Sequence, residues 1–190
     1  MGELVGNTDE IWKYGRFKLS KAQPARILDL CSGMGTFPYA WLNAGLCIAS
    51  YHTVEINGQA RNVFRNNTRM LDILYGPQLT TGAFQQFDER LPQDLYELSE
   101  QRAVCWKDWP ELPNMVVMTA PCVGGSRAGR GQGAATVSGR TYIPGLEVMT
   151  SLYKEYERRG QAEPTLAPFG WIVETAPPSQ SDRRPGVVQQ

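Results

Sequence analysis

The chain has 190 residues, 42% of them apolar, and 19 Lys and Arg balanced by 19 Asp and Glu. That length and apolar content suffice for one ordinary globular domain and exclude a disordered or fibrous chain. Zero net charge excludes a whole-molecule attraction to nucleic acid or an anionic membrane, so any such attraction must come from charge divided between regions. The stretch from Cys122 onward, with 8 basic and 6 acidic residues, is the slightly cationic part.

Gly (19) and Pro (13) make about one residue in six, above the roughly 12% of an average chain, which points to specialised loops. No apolar run reaches the roughly 18 residues of a bilayer span. The N-terminus, MGELVGNTDE, is acidic where a secretory signal is basic and then apolar, and Gly6 breaks the myristoylation pattern. A cytoplasmic protein, or one in a host cell's cytoplasm or nucleus, is expected, not secreted and with no membrane partner. Four cysteines (Cys31, Cys47, Cys105, Cys122), no Cys-x-x-Cys and a single histidine, His52, predict reduced thiols and neither a zinc site nor a disulfide framework. His52 is expected to be structural.

In chain order, RILDL (26–30) reads as a short buried strand that runs into Cys31-Ser-Gly-Met-Gly35. Phe37, Ala40, Trp41 and Ala44 then fall at helical spacing, which predicts a helix over 36–44. Leu46 to Glu55 is a second strand ending in an acid, and Asn57 to Arg69 a polar helix. Residues 76–100 read as a loop followed by a short helix carrying Leu91, Leu95 and Leu98. Val104–Trp106 and Met115–Met118 are predicted as the third and fourth strands. Ala120 to Gly145, with seven glycines, is expected to be one long loop. Pro144 is then followed by an amphipathic helix (Leu146, Met149, Leu152, Tyr153, Tyr156) ended by Gly160, and by a fifth strand, Phe169–Glu174. Alternating strands and helices predict an open, largely parallel sheet with ligands at the carboxyl ends of its strands.

Three features at those ends can carry chemistry. A strand, a Ser-Gly-Met-Gly turn and a helix let a backbone approach a ligand closely, and Glu55 at the end of the next strand can accept hydrogen bonds from both hydroxyls of a ribose. Position 38 is Pro, so the full G-x-G-x-x-G fingerprint is absent and a nucleoside is favoured over a pyrophosphate. A plain tight turn is the competing reading. Cys122, after a strand and Pro121 and before glycines, is a thiol presented at the site end of the sheet, although a Cys among small residues is more often inert. Glu174 ends the fifth strand and opens on the same edge, with an ordinary solvated acid as its alternative.

Together these segments resemble the cytosine-5 DNA methyltransferases, which transfer a methyl group from S-adenosylmethionine to carbon 5 of a cytosine flipped out of the helix. DLCSGMGTFPYAWLNAG (29–45) is similar to the family's DLFxGxGGFxxAxxxAG, and VEIN (54–57) to its second-strand acid segment. KDW (107–109) is similar to its Gly-Asp-Ile, APCVGGSRAG (120–129) to its PPCxxxSxAG, and FGWIVET (169–175) to its Phe-x-x-x-Glu-Asn-Val. Cys31 stands where the family usually has Phe, Thr36 where it has Gly, and Thr175-Ala176 where it has Asn-Val.

The resemblance implies a Rossmann-like S-adenosylmethionine-dependent methyltransferase core over 26–176, between an N-terminal extension (1–25) and a C-terminal tail (177–190). It implies Cys122 as nucleophile and Glu174 as its acid partner. Cofactor contacts would come from Cys31, Ser32, Gly33, Met34, Gly35, Glu55, Ile56, Asp108, Trp109 and Pro121, with Glu55 on the ribose and Asp108 on the adenine amino group. Ser126, Arg127 and Arg130 would meet the flipped cytosine and the phosphates of DNA. The family's Gln-x-Arg-x-Arg strand, target-recognition domain and closing Asn-containing segment have no counterpart here, so an incomplete core is expected. Whether a second chain supplies target recognition stays open. So do two other functions, a non-catalytic remnant or regulatory subunit that binds a partner, and methylation of a tRNA cytosine.

Overall fold

The computed structural model describes residues 24–80, 83–84, 91–100, 106–121, 141–162 and 168–174. Their elements are β1 (Ala25–Leu30), α1 (Phe37–Asn43), β2 (Ile48–Val54), α2 (Gly58–Thr68), α3 (Leu71–Tyr75), α4 (Pro77–Thr80) and α5 (Leu95–Glu100). A 3₁₀ turn (Trp106–Asp108), β3 (Met115–Thr119), α6 (Tyr142–Ala162) and β4 (Gly170–Glu174) follow. The four strands form one all-parallel sheet in the order β2-β1-β3-β4, so the fold is α/β. Among the described residues no helix is long and apolar enough to cross a membrane.

A parallel sheet must be covered on both faces, which is why β1 and β3 read as near-continuous apolar runs. One face sets Leu28, Leu30, Val54, Val116 and Met118 against Leu95 and Leu98 of α5 and Val148, Met149 and Leu152 of α6. The other sets Ile27, Ile48, Tyr51, Met115 and Val117 against Trp41 and Leu42 of α1, Phe64 of α2 and Leu71 of α3. Asn57 starts α2 as a side-chain cap, its Oδ1 accepting from the N–H groups of Gln59 (2.9 Å) and Ala60 (3.2 Å).

The chain crosses from β1 to β2 on one side and then returns past β1 to β3 on the other. The point where the strand order reverses lies between the carboxyl ends of β1 and β3, the usual place for a ligand in an open α/β sheet.

Four expectations are corrected. Trp106 opens a 3₁₀ turn instead of closing a strand; its indole N–H donates to Ser151 Oγ (3.0 Å), and the carbonyls of 106, 107 and 109 accept from Arg159 instead of from a neighbouring strand. Residues 104–105 lie outside the described residues. The long loop does not reach Gly145, because α6 begins at Tyr142. Pro144 is tolerated in the first turn, where its missing N–H has no helical partner, and Gly145 lets the helix approach β3 so closely that a Cβ there would sit 2.1 Å from the Met118 sulfur. Gly160 does not end the helix, which runs on to Ala162. The short helices α3 and α4 are additional to the expected elements, and Leu91 precedes α5 instead of lying in it. The expected tail and all but the last two residues of the extension lie outside the described residues.

Candidate functional site

Register carries the site. Leu30 pairs with Val54 on one side and Met118 on the other, Met118 pairs with Val173, and Thr119 with Glu174. One residue further along, the edge of the sheet therefore reads Glu55, Cys31, Thr119, Glu174 from β2 to β4. At the usual spacing of neighbouring strands this row spans roughly 14 Å.

At the β1–β2 corner the Glu55 carboxylate accepts from the N–H of Gly33 (Oε2, 2.9 Å) and of Asn57 (Oε1, 2.8 Å). Arg61 fastens the same turn from behind, donating to the carbonyls of Glu55 (2.6 Å) and Ile56 (2.9 Å). Cys31 takes a left-handed conformation at φ 62°, uncommon for a residue other than glycine. Its N–H donates to the Val54 carbonyl (2.8 Å) and its own carbonyl accepts from the Thr119 hydroxyl (3.0 Å), which ties the turn to β3. Gly35, at φ 81°, packs so tightly that a Cβ would meet the Phe64 ring at 2.7 Å, whereas Gly33, at φ 56°, faces open space. Met34 and Ile56 are 57% and 68% exposed, two large apolar side chains displayed beside the turn. The expected residues Cys31 to Gly35, Glu55 and Ile56 are thus brought together.

Buried polar groups underlie this corner. Asp29, inside β1, is 1% exposed and accepts from the Tyr51 hydroxyl through Oδ2 (2.6 Å). Burial above all pushes its carboxyl up to about 7, the Tyr51 hydrogen bond opposes that, and the negative charge of Glu55 adds to it. Neither Asp29 Oδ1 nor the buried Ser32 Oγ has a hydrogen-bond partner among the described residues. Orphan atoms of this kind are rare in native folds and point to a polar atom or water not yet accounted for. Burial, then Glu55 and Asp29, pushes the Cys31 thiol up to about 12, so it stays protonated and is no nucleophile at neutral pH.

Asp108 is exposed on the 3₁₀ turn, and Trp109 stands edge-on to His52 of β2 with ring centroids 4.9 Å apart. The turn is therefore against the β2 side of the sheet. On the opposite side Pro121, exposed, follows β3, and Glu174, also exposed, ends β4. Cys122, Ser126, Arg127 and Arg130 lie outside the described residues, the first of them one residue past Pro121.

No protein-family model and no curated protein matches the chain. The site rests on its own geometry. Sequence reasoning missed Asp29, Tyr51, Thr119 and Arg61. Only Asp29 carried a signal, an acid inside an apolar strand, which is rarely buried without a reason.

Proposed function

We propose that this chain is an S-adenosylmethionine-dependent methyltransferase acting on carbon 5 of cytosine in DNA. The observation that carries the reading is the register that aligns Glu55, the Cys31–Gly35 turn, the β3 end leading to Cys122, and Glu174 on one edge, across the point where the strand order reverses.

The corner's residues fit the cofactor. Glu55, already bonded to two backbone N–H groups, has lone pairs left for the ribose hydroxyls. The unpartnered Ser32 Oγ, in the turn itself, suits the amino-acid part. Ile56 offers an apolar surface, and Asp108 an acceptor for the adenine amino group. When bound, the cofactor supplies an electrophilic methyl group on a sulfonium.

The chain's own residues must then activate a ring whose carbon 5 is a poor nucleophile. The Cys122 thiolate adds to carbon 6, and the electron pair displaced from the 5,6 double bond enriches carbon 5 and ring nitrogen 3. Glu174, protonated, donates a hydrogen bond to nitrogen 3 and stabilises that charge, which requires a bound base to exclude water from it. After transfer a base takes the carbon 5 proton, the carbon 6–sulfur bond breaks and the thiolate is restored. Ser126, Arg127 and Arg130 hold the flipped base and its phosphates.

The test is transfer of a labelled methyl group from S-adenosylmethionine to DNA and, in parallel, to tRNA. Label on DNA cytosine, lost in Cys122→Ser, supports the reading. Label on tRNA alone, or equal label with Cys122→Ser, overturns it.

A further inference from the structure

Arg159, near the end of α6, reaches across to the turn that carries Asp108. Its Nη2 donates to the carbonyls of Trp106 (2.7 Å), Trp109 (2.7 Å) and Lys107 (3.2 Å), and its Nη1 to that of Pro110 (3.4 Å). Its Nε donates to Glu155 Oε1 (3.0 Å), and Arg158 donates to both oxygens of Glu155 (2.6 and 2.7 Å). Glu155 is a buried acid, and hydrogen bonds from Arg158 and then Arg159 hold its carboxyl down at about 2, against the opposing effect of burial. Four carbonyls gathered by one planar guanidinium is a demanding arrangement that a lysine's single ammonium cannot reproduce. It fixes the backbone of 106–110, and an exposed side chain such as Asp108 takes its position from that backbone.

We propose that Arg159, oriented by Glu155, is a positioning residue for the adenine end of the cofactor site: by fixing the turn that bears Asp108, it sets selectivity for an amino group on the purine. The inference rests on the cofactor reading above. A carboxylate held in place accepts from the adenine amino group and repels the oxo group of a hypoxanthine ring in the same position. Once the turn is loosened, the carboxylate moves away from either ring and must be ordered on binding, so the distinction fades. Arg61 holds the ribose corner by the same device on the carbonyls of Glu55 and Ile56, which leaves ribose recognition independent of Arg159.

The experiment is calorimetric titration of the full chain with S-adenosylhomocysteine and with its 6-oxo counterpart, S-inosylhomocysteine. The wild type is expected to prefer the adenine ligand by about tenfold or more, the worth of one charge-assisted hydrogen bond. In Arg159→Met the preference should fall below about threefold, with affinity for the adenine ligand reduced and affinity for the inosyl ligand unchanged or raised. Arg159→Lys, which keeps the charge beside Glu155, should fall between the two, and it decides the matter if the Met variant does not fold. A variant that weakens both ligands equally and keeps the wild-type ratio has lost only structure, and that result overturns the inference while leaving the cofactor reading intact. A wild type that binds neither ligand overturns the cofactor reading itself, and the inference with it.

Discussion

At the β1–β2 corner the loops are held by their own hydrogen bonds, Glu55 on two backbone N–H groups and Arg61 on two carbonyls, whereas Pro121 and Glu174 on the β3–β4 side stand exposed at the ends of their strands. The first half of the edge is built before any ligand arrives. Groups that must recognise a fixed shape gain from such preorganisation, while groups that must meet a base swung out of a duplex need to be reachable. The contrast predicts that changes at the corner cost folding or binding, and that changes on the other side cost chemistry alone.

The largest effect should come from Asp29. Its carboxyl titrates near 3.8 in the unfolded chain and about 7 in the folded one, so between those values the folded state keeps a proton that the unfolded state has lost. Stability is therefore fully present below about pH 4, falls as pH rises through 7 and levels off above it, by about 4 kcal/mol in all. Denaturation curves from pH 5 to 8 should show this slope in the wild type and not in Asp29→Asn; a slope that survives the substitution would remove the buried acid from the account.

Next comes Gly35→Ala, which adds left-handed strain to a clash with a buried ring and should cost about 3 kcal/mol. Gly33→Ala has the same strain but open space around it, and should cost about 1 kcal/mol. Equal losses in urea titrations would mean that Phe64 does not press on the turn. Glu55→Ala should lower the affinity for S-adenosylhomocysteine about tenfold or more; unchanged affinity rejects the ribose contact. Glu174→Gln is the smallest change in stability, within about 0.5 kcal/mol, yet it should abolish methyl transfer. A large loss of stability there would show that the β3–β4 side is as tightly built as the corner.

The sequence displayed the part of the fold that is local. The β1 run, the glycine turn, the acid ending β2 and the polar run from Asn57 to Arg69 are local patterns, and they set β1, α1, β2 and α2 to within about two residues. What it concealed depends on contacts between distant segments. Trp106 looks like strand because it is apolar and flanked by Val104 and Cys105, but Arg159, some fifty residues on, takes its carbonyl. Gly145 looks like a break because nothing in its neighbourhood says that Met118 lies against it. Glu55 and the glycines were legible as a candidate site because a strand, a glycine turn and an acid at the next strand's end form a local signature. The Asp29–Tyr51 hydrogen bond and the hold of Arg159 on the carbonyls of 106–110 were not: an acid inside an apolar strand and the i,i+4 spacing of Glu155 and Arg159 are local, but the partners they meet come from distant segments.

The measurement that bears most directly on the central claim is covalent trapping. Fluorine at carbon 5 cannot leave as the proton does, so the final elimination is blocked and the sulfur stays bonded to carbon 6. Incubated with S-adenosylmethionine and DNA containing 5-fluorocytosine, the wild-type chain should form an adduct that survives denaturation, and Cys122→Ser should form none. Cofactor binding with no adduct in the wild type, or an adduct that persists without Cys122, would contradict the claim that this sheet edge is built for cytosine methylation.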